Sequence, residues 1–395
     1  MRPGDRGAAV GFSVHHVGLA WTAQTPTTDT RQISLSAVRS PMTTSRSFTL
    51  AATEDPAVRD CTASRALFGD TITSGADFVF AGAEESESIW GDGPTIAWSR
   101  GEPLIICGSP GVGKSTLAQQ LMLARAGLAE PEFLGLRVEP DTERRVLYIC
   151  ADRPAQARKS IARMVTGEDK AVLDDRLLVA KGPPRTAFLR EPALLANAAR
   201  EQNVGTVVID GLKDIAPNLS DEATAGSINL ALQTLVAQDT ELVALHHPRK
   251  GRTERVGDGK RPDPGAQGLH LDDVYGSTWL TAGAGSVIGL VGEPGAALVR
   301  FHHLKQPEQA VEPFDIFHHH SQGRSVRFGD EVLIEIVSAS EGVAAPDIAA
   351  SLHGAAKSSA DIERVRRALD RLSGDGALRR DKSPEAGKTL YWGAE

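Results

Sequence analysis

Short apolar runs alternate with longer Ala- and Leu-rich stretches through the middle of the chain. Between residues 103 and 303 the runs read PLIICG, RVLYICA, RLLVAKG, TVVIDGL, ELVALHH, SVIGLVG and ALVRFHH. Runs of this kind are typical of strands buried on both faces, and their alternation with helical stretches is typical of a parallel sheet. We therefore predict an α/β domain whose mostly parallel sheet is covered on both faces by helices.

The pattern changes on both sides of this region. The first 65 residues are rich in Thr, Ser and Arg and have neither helical nor strand periodicity, which predicts a disordered extension. Met42 inside it is an alternative start of translation. From residue 326 onwards the pattern predicts three helices and then two strands, the order of a winged helix. The predicted domains are 1–65, 66–325 and 326–395.

The C-terminal segments are DEVLIEIVSAS, AAPDIAASL and SSADIERVRRALDRLSGDG for the helices, and ALRRDKS and GKTLYWG for the strands. Ser358 or Ser359 is expected to cap the third helix. Its arginines are suited to phosphates, but acidic residues are interleaved with them. Either DNA or a replication protein is therefore an expected partner of this domain.

Composition narrows the possible classes of protein. The 395 residues are 41% hydrophobic, enough for a sizeable core, and the net charge of −8 excludes a basic coat for nucleic acid. Any nucleic-acid site must then be a local patch. The three cysteines have no metal-ligand spacing, and no stretch is long enough to cross a membrane. A cytoplasmic protein with reduced thiols is expected.

The stretch ICGSPGVGKST follows the pattern G-x-x-x-x-G-K-[ST] between an apolar run and a helical stretch. This context predicts a phosphate-binding loop for ATP, in which Lys114 contributes charge at the β- and γ-phosphates and Ser115 binds Mg²⁺. The predicted nucleotide-binding residues are Gly108, Ser109, Pro110, Gly111, Val112, Gly113, Lys114, Ser115 and Thr116.

Two acidic residues end later apolar runs. Asp210 closes TVVID and is the predicted second ligand of Mg²⁺. Asp152 follows RVLYICA and is a candidate to orient the attacking water and accept its proton. The alternative for Asp152 is an N-cap of the helix that follows it.

Other P-loop classes lack their signatures here. The sequence has no N-K-x-D motif of GTPases and no L-S-G-G-Q-type motif of transporters, and Gly211 takes the place of the Glu that follows the magnesium Asp in many helicases.

The run ELVALHHPRK ends in His246 and His247, a polar pair that could contact the γ-phosphate. A solvated strand end is the alternative. A Gly/Pro-rich loop follows, with six basic and two acidic residues from Arg249 to Arg261. Such a long loop is usually functional, and phosphate-backbone contact is its expected use. The predicted DNA-binding residues are Arg249, Lys250, Arg252, Arg255, Lys260 and Arg261.

In this order, ICGSPGVGKSTLAQQL, LYICADRP, VVIDGLKD, LHHPRK and YGSTWLTAGAGSV resemble RepA-like hexameric helicases of the RecA/DnaB branch, found in phages and mobile elements. The resemblance covers about residues 66–317. It implies a RecA-like core, Asp152 as the catalytic acid, Asp210 as the magnesium Asp and the histidine pair as the sensor. The family's K-x-R finger is incomplete here: Lys305 is present without its Arg, and Arg300 is a possible substitute.

These features predict an ATP-driven motor on single-stranded DNA that acts as a replicative helicase. The expected form is a ring of identical subunits, with a hexamer as the expected number. An ATP-switched regulator or loader without unwinding activity is the alternative, and a small-molecule kinase is a weaker one. His318, His319 and His320 are interpreted as part of a solvated linker, and Trp90 and Trp98 either stack on the base or pack in the core.

Overall fold

The computed structural model describes residues 72–80, 88–216, 218–249, 269–276, 278–354, 357–382 and 388–394. The predicted disordered extension lies outside these ranges, and so do Lys250 and the basic residues that follow it. The strands are β1 (Ser88–Asp92), β2 (Thr95–Ser99), β3 (Leu104–Gly108), β4 (Glu132–Phe133), β5 (Leu136–Arg137), β6 (Arg145–Cys150), β7 (Leu177–Lys181), β8 (Val204–Asp210), β9 (Glu241–His246), β10 (Ser286–Val291), β11 (Leu298–Lys305), β12 (Phe314–His319), β13 (Arg324–Arg327), β14 (Leu378–Lys382) and β15 (Thr389–Gly393).

Helices connect these strands as the sequence pattern predicts. They are α1 (Gly75–Phe80), α2 (Lys114–Arg125), α3 (Pro154–Ile161), α4 (Lys170–Arg176), α5 (Ala193–Glu201), α6 (Leu212–Ile215), α7 (Glu222–Val236), α8 (Thr278–Ala282), α9 (Asp330–Ser338), α10 (Ala345–His353) and α11 (Ser359–Gly374). Two short 3₁₀ turns lie at Thr186–Leu189 and Leu271–Asp273. None of the helices within the described ranges is both long and apolar enough to cross a membrane.

A nine-stranded sheet forms the centre of the described chain, in the order β7-β6-β8-β9-β3-β10-β11-β12-β13. The strands from β7 to β10 are parallel, and β11, β12 and β13 continue the sheet as an antiparallel extension. The predicted mostly parallel α/β sheet is therefore confirmed. Because parallel strands end at one edge, the segments after β3, β6, β8 and β9 meet there, where such folds bind ligands.

Successive residues of β8 show that both faces of the sheet are covered. Val208 belongs to the apolar cluster that contains Leu117 and Leu121 of α2. Its neighbours Val207 and Ile209 belong to a second cluster, which includes side chains of α5 and α7. This alternation explains why the strand is an uninterrupted apolar run in the sequence.

Both tryptophans near the first strands belong to the core. Trp90 and Trp98 have no exposed surface. Trp90 stacks on Phe133 with ring centroids 5.4 Å apart, and Trp98 donates its indole N–H to the Glu102 carbonyl at 2.9 Å. Core packing, and not stacking on a nucleotide base, is therefore what the structure assigns to the pair.

The C-terminal part contains the predicted elements: the helices α9, α10 and α11 precede the antiparallel pair β14–β15. The Ser358 hydroxyl caps α11 by accepting from the Asp361 N–H at 3.2 Å. The apolar cluster of this part also takes in Leu298, Phe317 and Phe328 from the sheet side. The C-terminal elements thus pack directly on the antiparallel extension, and β13 continues that extension across residues 325 and 326.

Candidate nucleotide site

The phosphate-binding loop lies between β3 and α2, as its sequence pattern predicts. Gly111 and Gly113 have φ values of 84° and 87°, a left-handed conformation that costs side chains with a Cβ about 1–2 kcal/mol. Gly113 is the N-cap residue of α2, and no side chain caps that end. The first N–H groups of the helix are therefore available to bind an anion.

Lys114 lies under the loop. Its ammonium donates hydrogen bonds to the carbonyls of Gly108 and Ser109 at 2.8 and 2.9 Å, and the residue is 8% exposed. Burial lowers the pKa of Lys114 to about 8. A negatively charged phosphate beside this ammonium would favour its charged form, so charge is an essential part of what the loop offers a nucleotide.

Asp210 at the end of β8 lies beside Ser115. The Ser115 hydroxyl donates to Asp210 Oδ1 at 3.0 Å, and the Tyr148 hydroxyl donates to Asp210 Oδ2 at 2.5 Å. Gln119 of α2 in turn donates to the Tyr148 oxygen at 2.9 Å. Burial raises the pKa of Asp210, against the effect of both donated hydrogen bonds and of Lys114.

The pair Ser115 and Asp210 fits a Mg²⁺ ion. Both present oxygen atoms, the ligand type that this ion prefers, and Mg²⁺ is commonly held by few protein oxygens together with substrate phosphates. They are the residues that would hold the ion beside the nucleotide, where it would neutralise charge on the phosphates.

Asp152 lies just beyond the end of β6, at the same edge of the sheet as Asp210. Its carboxylate is 53% exposed and accepts from Arg153 Nε at 2.8 Å. The N-cap of α3 is Arg153, with φ 49°, and no side chain caps that helix. The alternative that Asp152 is a helix cap is therefore not supported, and its carboxylate lies in the solvent at the candidate site.

The two histidines after β9 differ in what they contact. His246 is fully buried, and its Nε2 donates to the Tyr275 carbonyl at 2.6 Å. His247 follows Cys107's partner in the β3–β9 register and hydrogen-bonds with the Gly108 backbone. Burial, with nearby Lys114 next in effect, lowers the pKa of His247 to about 4.

Within the described residues, the Nδ1 of His247 is buried and has no hydrogen-bond partner, and the same holds for the Nδ1 of His246. An unpaired polar atom beside the phosphate-binding loop is poised for a ligand. The sequence left open which histidine is the sensor. The contact with Gly108 brings His247 to the loop and favours it over His246.

The two candidate finger residues are engaged in other contacts. Lys305 donates to three carbonyls around the end of α8, those of Thr281, Ala282 and Ala284. These bonds use all three donors of its ammonium. Arg300 pairs with Asp315 at 3.0 Å and is 42% exposed at its side chain. Arg300 is therefore the more accessible of the two.

Of the predicted DNA-binding residues, the structure describes only Arg249. Its guanidinium donates to the Gly276 carbonyl at 2.9 Å, and the residue is exposed. Arg252, Arg255, Lys260 and Arg261 lie outside the described residues, as does Lys250.

The interpretation of His318–His320 as a solvated linker is wrong. His318 and His319 belong to β12, and His318 is only 5% exposed. Its ring lies against the phosphate-binding loop, with Nε2 at 3.2 Å from the Val112 carbonyl oxygen. The sequence contained a signal for this: Phe314, Ile316 and His318 alternate as the buried face of a strand should.

Tyr148 was also missed by sequence reasoning. It appeared as one apolar residue of a buried run, but a buried tyrosine hydroxyl requires a hydrogen-bond partner. The end of a neighbouring strand, where Asp210 was already predicted, is where that partner lies.

Comparisons with known proteins agree with this geometry. Residues 74–253, just under half of the chain, match a family model described as AAA domain. No curated protein matches the sequence. Among solved structures, an ATPase domain of another protein is 13% identical and covers 70% of this chain and 100% of its own, with a TM-score of 0.41.

A KaiC-like protein from the hyperthermophilic archaeon Pyrococcus horikoshii OT3 is 13% identical and covers 59% of this chain and 91% of its own, with a TM-score of 0.38. Scores this low carry no conclusion about function. The family match, the phosphate-binding loop and the mostly parallel sheet identify the chain as a P-loop ATPase with a RecA-like α/β core.

Proposed function

We propose that this ATPase is a motor that translocates on single-stranded DNA as a ring of identical subunits, the activity of a replicative helicase of a phage, plasmid or integrated element. The observation that carries the proposal is the contact between His247 and the Gly108 backbone. It links the nucleotide site to the chain segment that leads, two residues later, into the basic loop. The ordered motifs that resemble RepA-like helicases support the same assignment.

The chemistry follows from the positions of the side chains. Asp152 orients a water molecule for attack on the γ-phosphorus and takes its proton as the new P–O bond forms and ADP leaves. Lys114 and the loop N–H groups stabilise the charge that builds up on the phosphate oxygens. Mg²⁺ bound by Ser115 and Asp210 supplies further positive charge at the phosphates.

His247 connects hydrolysis to DNA binding. Its unpaired Nδ1 would bind a γ-phosphate oxygen, through water or directly, and lose that partner on cleavage. A change at His247 would move Arg249, which is exposed and two residues away, and with it the loop from Arg249 to Arg261. Six basic residues there could alternately hold and release the phosphate backbone.

A single subunit cannot retain the strand while its own loop releases it. Several copies must therefore alternate, which favours a ring, and a hexamer is the proposed form. Arg300, on the antiparallel extension and partly exposed, is the proposed residue to reach a neighbouring subunit's nucleotide.

We propose that the C-terminal elements are a winged helix that finds a site or a partner. Several of its arginines are already neutralised within the domain: Arg366 and Arg367 pair with Glu363, and Arg371 pairs with Asp330. This internal pairing leaves less positive charge for DNA, so a protein partner is the favoured ligand. It is also the observation that favours the second candidate function, an ATP-switched regulator or loader.

The test is an ATPase assay with and without single-stranded DNA, combined with measurement of the oligomeric state. Lys114→Ala should abolish hydrolysis because it removes the cation of the phosphate-binding loop, and unchanged turnover would remove the ATPase assignment. The wild-type protein should form a ring under saturating ATP and DNA, and unwind a forked substrate. A monomer without unwinding activity would favour the regulator.

The loop is tested separately by a variant with four alanines, at Arg252, Arg255, Lys260 and Arg261. Basal ATPase should remain, stimulation by DNA should disappear, and the salt slope of DNA binding should fall by about 3, at roughly 0.7 per phosphate contact. The charge-matched control replaces four exposed cations elsewhere, Lys170, Lys181, Arg190 and Arg200. Full stimulation of the loop variant would contradict the motor.

A further inference from the structure

The ring of His318 fills the space next to Gly113 in the phosphate-binding loop. A Cβ atom at Gly113 would lie 2.4 Å from the Cε1 and Nε2 atoms of His318. Real side-chain carbons do not approach other atoms so closely. The loop and the histidine are thus in direct contact, although 206 positions separate the residues joined by the hydrogen bond between Val112 and His318.

The hydrogen bonds of His318 define its protonation. The Val112 carbonyl oxygen can only accept, so the His318 Nε2 at 3.2 Å must carry the proton. The other nitrogen, Nδ1, then accepts from the Ser325 hydroxyl at 2.7 Å. The ring is neutral, in agreement with burial, which lowers the pKa of His318 to about 4.

His318 is itself firmly positioned. Its backbone N–H donates to the Ala297 carbonyl at 2.7 Å. Its partner Ser325 is joined to Gln120 of α2 by two hydrogen bonds, from the Ser325 N–H at 2.6 Å and to the Ser325 carbonyl at 3.2 Å. The imidazole is therefore fixed with respect to the helix that begins at the nucleotide site.

Holding the Val112 carbonyl determines where the next N–H points. In a trans peptide unit the C=O and the N–H lie on opposite sides, so the Gly113 N–H points away from His318 when the Val112 carbonyl points towards it. Glycine populates positive and negative φ almost equally, so Gly113 does not fix this orientation by itself. An external hydrogen bond is needed to keep the N–H directed into the loop, where the phosphates bind.

We propose that His318 is a positioning residue of the nucleotide site, which sets the Val112–Gly113 peptide so that the Gly113 N–H is directed at the nucleotide phosphates before they arrive. The inference deepens the proposed function by adding a residue to its nucleotide site, and it needs ATP binding but not DNA translocation.

The experiment compares His318→Met, which keeps volume but removes the donor, with His318→Gln, whose side-chain amide restores an N–H. ADP affinity is measured by calorimetry in EDTA, so that the result does not depend on Mg²⁺. His318→Met should bind ADP about five- to tenfold more weakly, the scale of one neutral hydrogen bond. His318→Gln should recover most of the affinity.

Steady-state kinetics provide a second readout. Because the loop N–H holds the phosphates in both the ground state and the transition state, His318→Met should raise KM with little change in kcat. The control is His303→Met, since His303 also bridges two groups of the sheet region, Ser286 and the Val311 N–H, away from the loop. Its ADP affinity should equal that of the wild type.

The inference is overturned if His318→Met melts like the wild type and binds ADP equally well, or if His318→Gln is as weak as His318→Met. Should either His318 variant fail to fold, Ser325→Ala provides the decision, because it frees the ring without removing it. A two- to threefold loss of ADP affinity, about the effect expected for a loosened bond, supports the inference, and an unchanged affinity overturns it. Failure of the wild-type chain to bind any nucleotide would instead reject the proposed function.

Discussion

The Tyr148 hydroxyl donates a hydrogen bond to Oδ2 of Asp210, the carboxylate that also accepts from Ser115 through Oδ1. The two oxygens of one carboxylate are thus divided between a fixed phenol and the side that faces the phosphate-binding loop. This arrangement restrains the carboxylate from rotating away from the site.

Tyr148→Phe should weaken the use of magnesium. Without the phenol, Asp210 loses the bond that fixes its orientation, and we expect the Mg²⁺ concentration for half-maximal ATPase to rise about threefold to tenfold, the effect of one hydrogen bond to a charged group in part. The measurement is a Mg²⁺ titration of hydrolysis. Tyr391→Phe is the matched control, because Tyr391 donates to Asp370 in the C-terminal part. Equal Mg²⁺ curves for Tyr148→Phe and wild type would contradict the prediction.

Asp152→Asn should separate binding from chemistry. The amide keeps the shape of the side chain but cannot take the proton of water, so turnover should fall by about 10²-fold or more while ATP still binds. Single-turnover hydrolysis and nucleotide affinity are measured together.

Asp214→Asn is the informative comparison for Asp152. Asp214 lies on α6, close enough to Asp152 for that charge to raise its pKa, although burial is the larger cause. If Asp214→Asn loses turnover and Asp152→Asn does not, the general base is Asp214.

Removal of residues 329–395 should leave ATP hydrolysis intact at moderate temperature, because the residues that the structure places in the candidate site all precede that part. The same deletion uncovers Leu298, Phe317 and Phe328, so we expect a lower melting temperature and binding of a hydrophobic dye. Adding Phe328→Gln to the deletion should reduce the dye signal. A deleted chain with no dye binding would show that the two parts do not pack in solution.

Acid should destabilise the chain through its buried histidines. Burial lowers the pKa of His303 to about 4, from the usual histidine value of 6.5. Between these values the unfolded chain binds a proton that the folded chain does not, so the stability from the neutral ring is complete above pH 6.5 and is lost as the pH falls towards 4.

The measurement is the free energy of unfolding in urea at several pH values between about 7.5 and 4.5. His303→Gln cannot take up the proton and should show a shallower fall than the wild type. His320→Gln removes an exposed histidine and is the control. Parallel curves for wild type and His303→Gln would mean that His303 does not contribute.

Much of the fold could be predicted because local pattern and global position agree in it. The glycines around Lys114 require a turn between a strand and a helix, and Asp210 ends a run that could only be a buried strand. The antiparallel extension is harder to anticipate. The polar composition around His318 suggests a linker, although the alternation of His318 with Phe314 and Ile316 indicates a strand.

The contacts of the candidate site were less predictable than its members. Tyr148 and Asp210 are neighbours across β6 and β8, and this depends on strand order, which local pattern does not encode. The choice between His246 and His247 depended on which of two adjacent side chains turns towards β3. Such facts arise from tertiary packing and need coordinates.

The hydrogen bond from His318 to Val112 also has a consequence for biosynthesis. Its partners are 206 positions apart, and closing so long a loop costs chain entropy that nearby contacts do not. During synthesis from the N-terminus, β3 and α2 leave the ribosome long before β12 exists. A nascent chain would therefore have the phosphate-binding sequence well before it has the group that orients its Gly113 peptide, and strong nucleotide binding should be acquired late, after the antiparallel extension has folded.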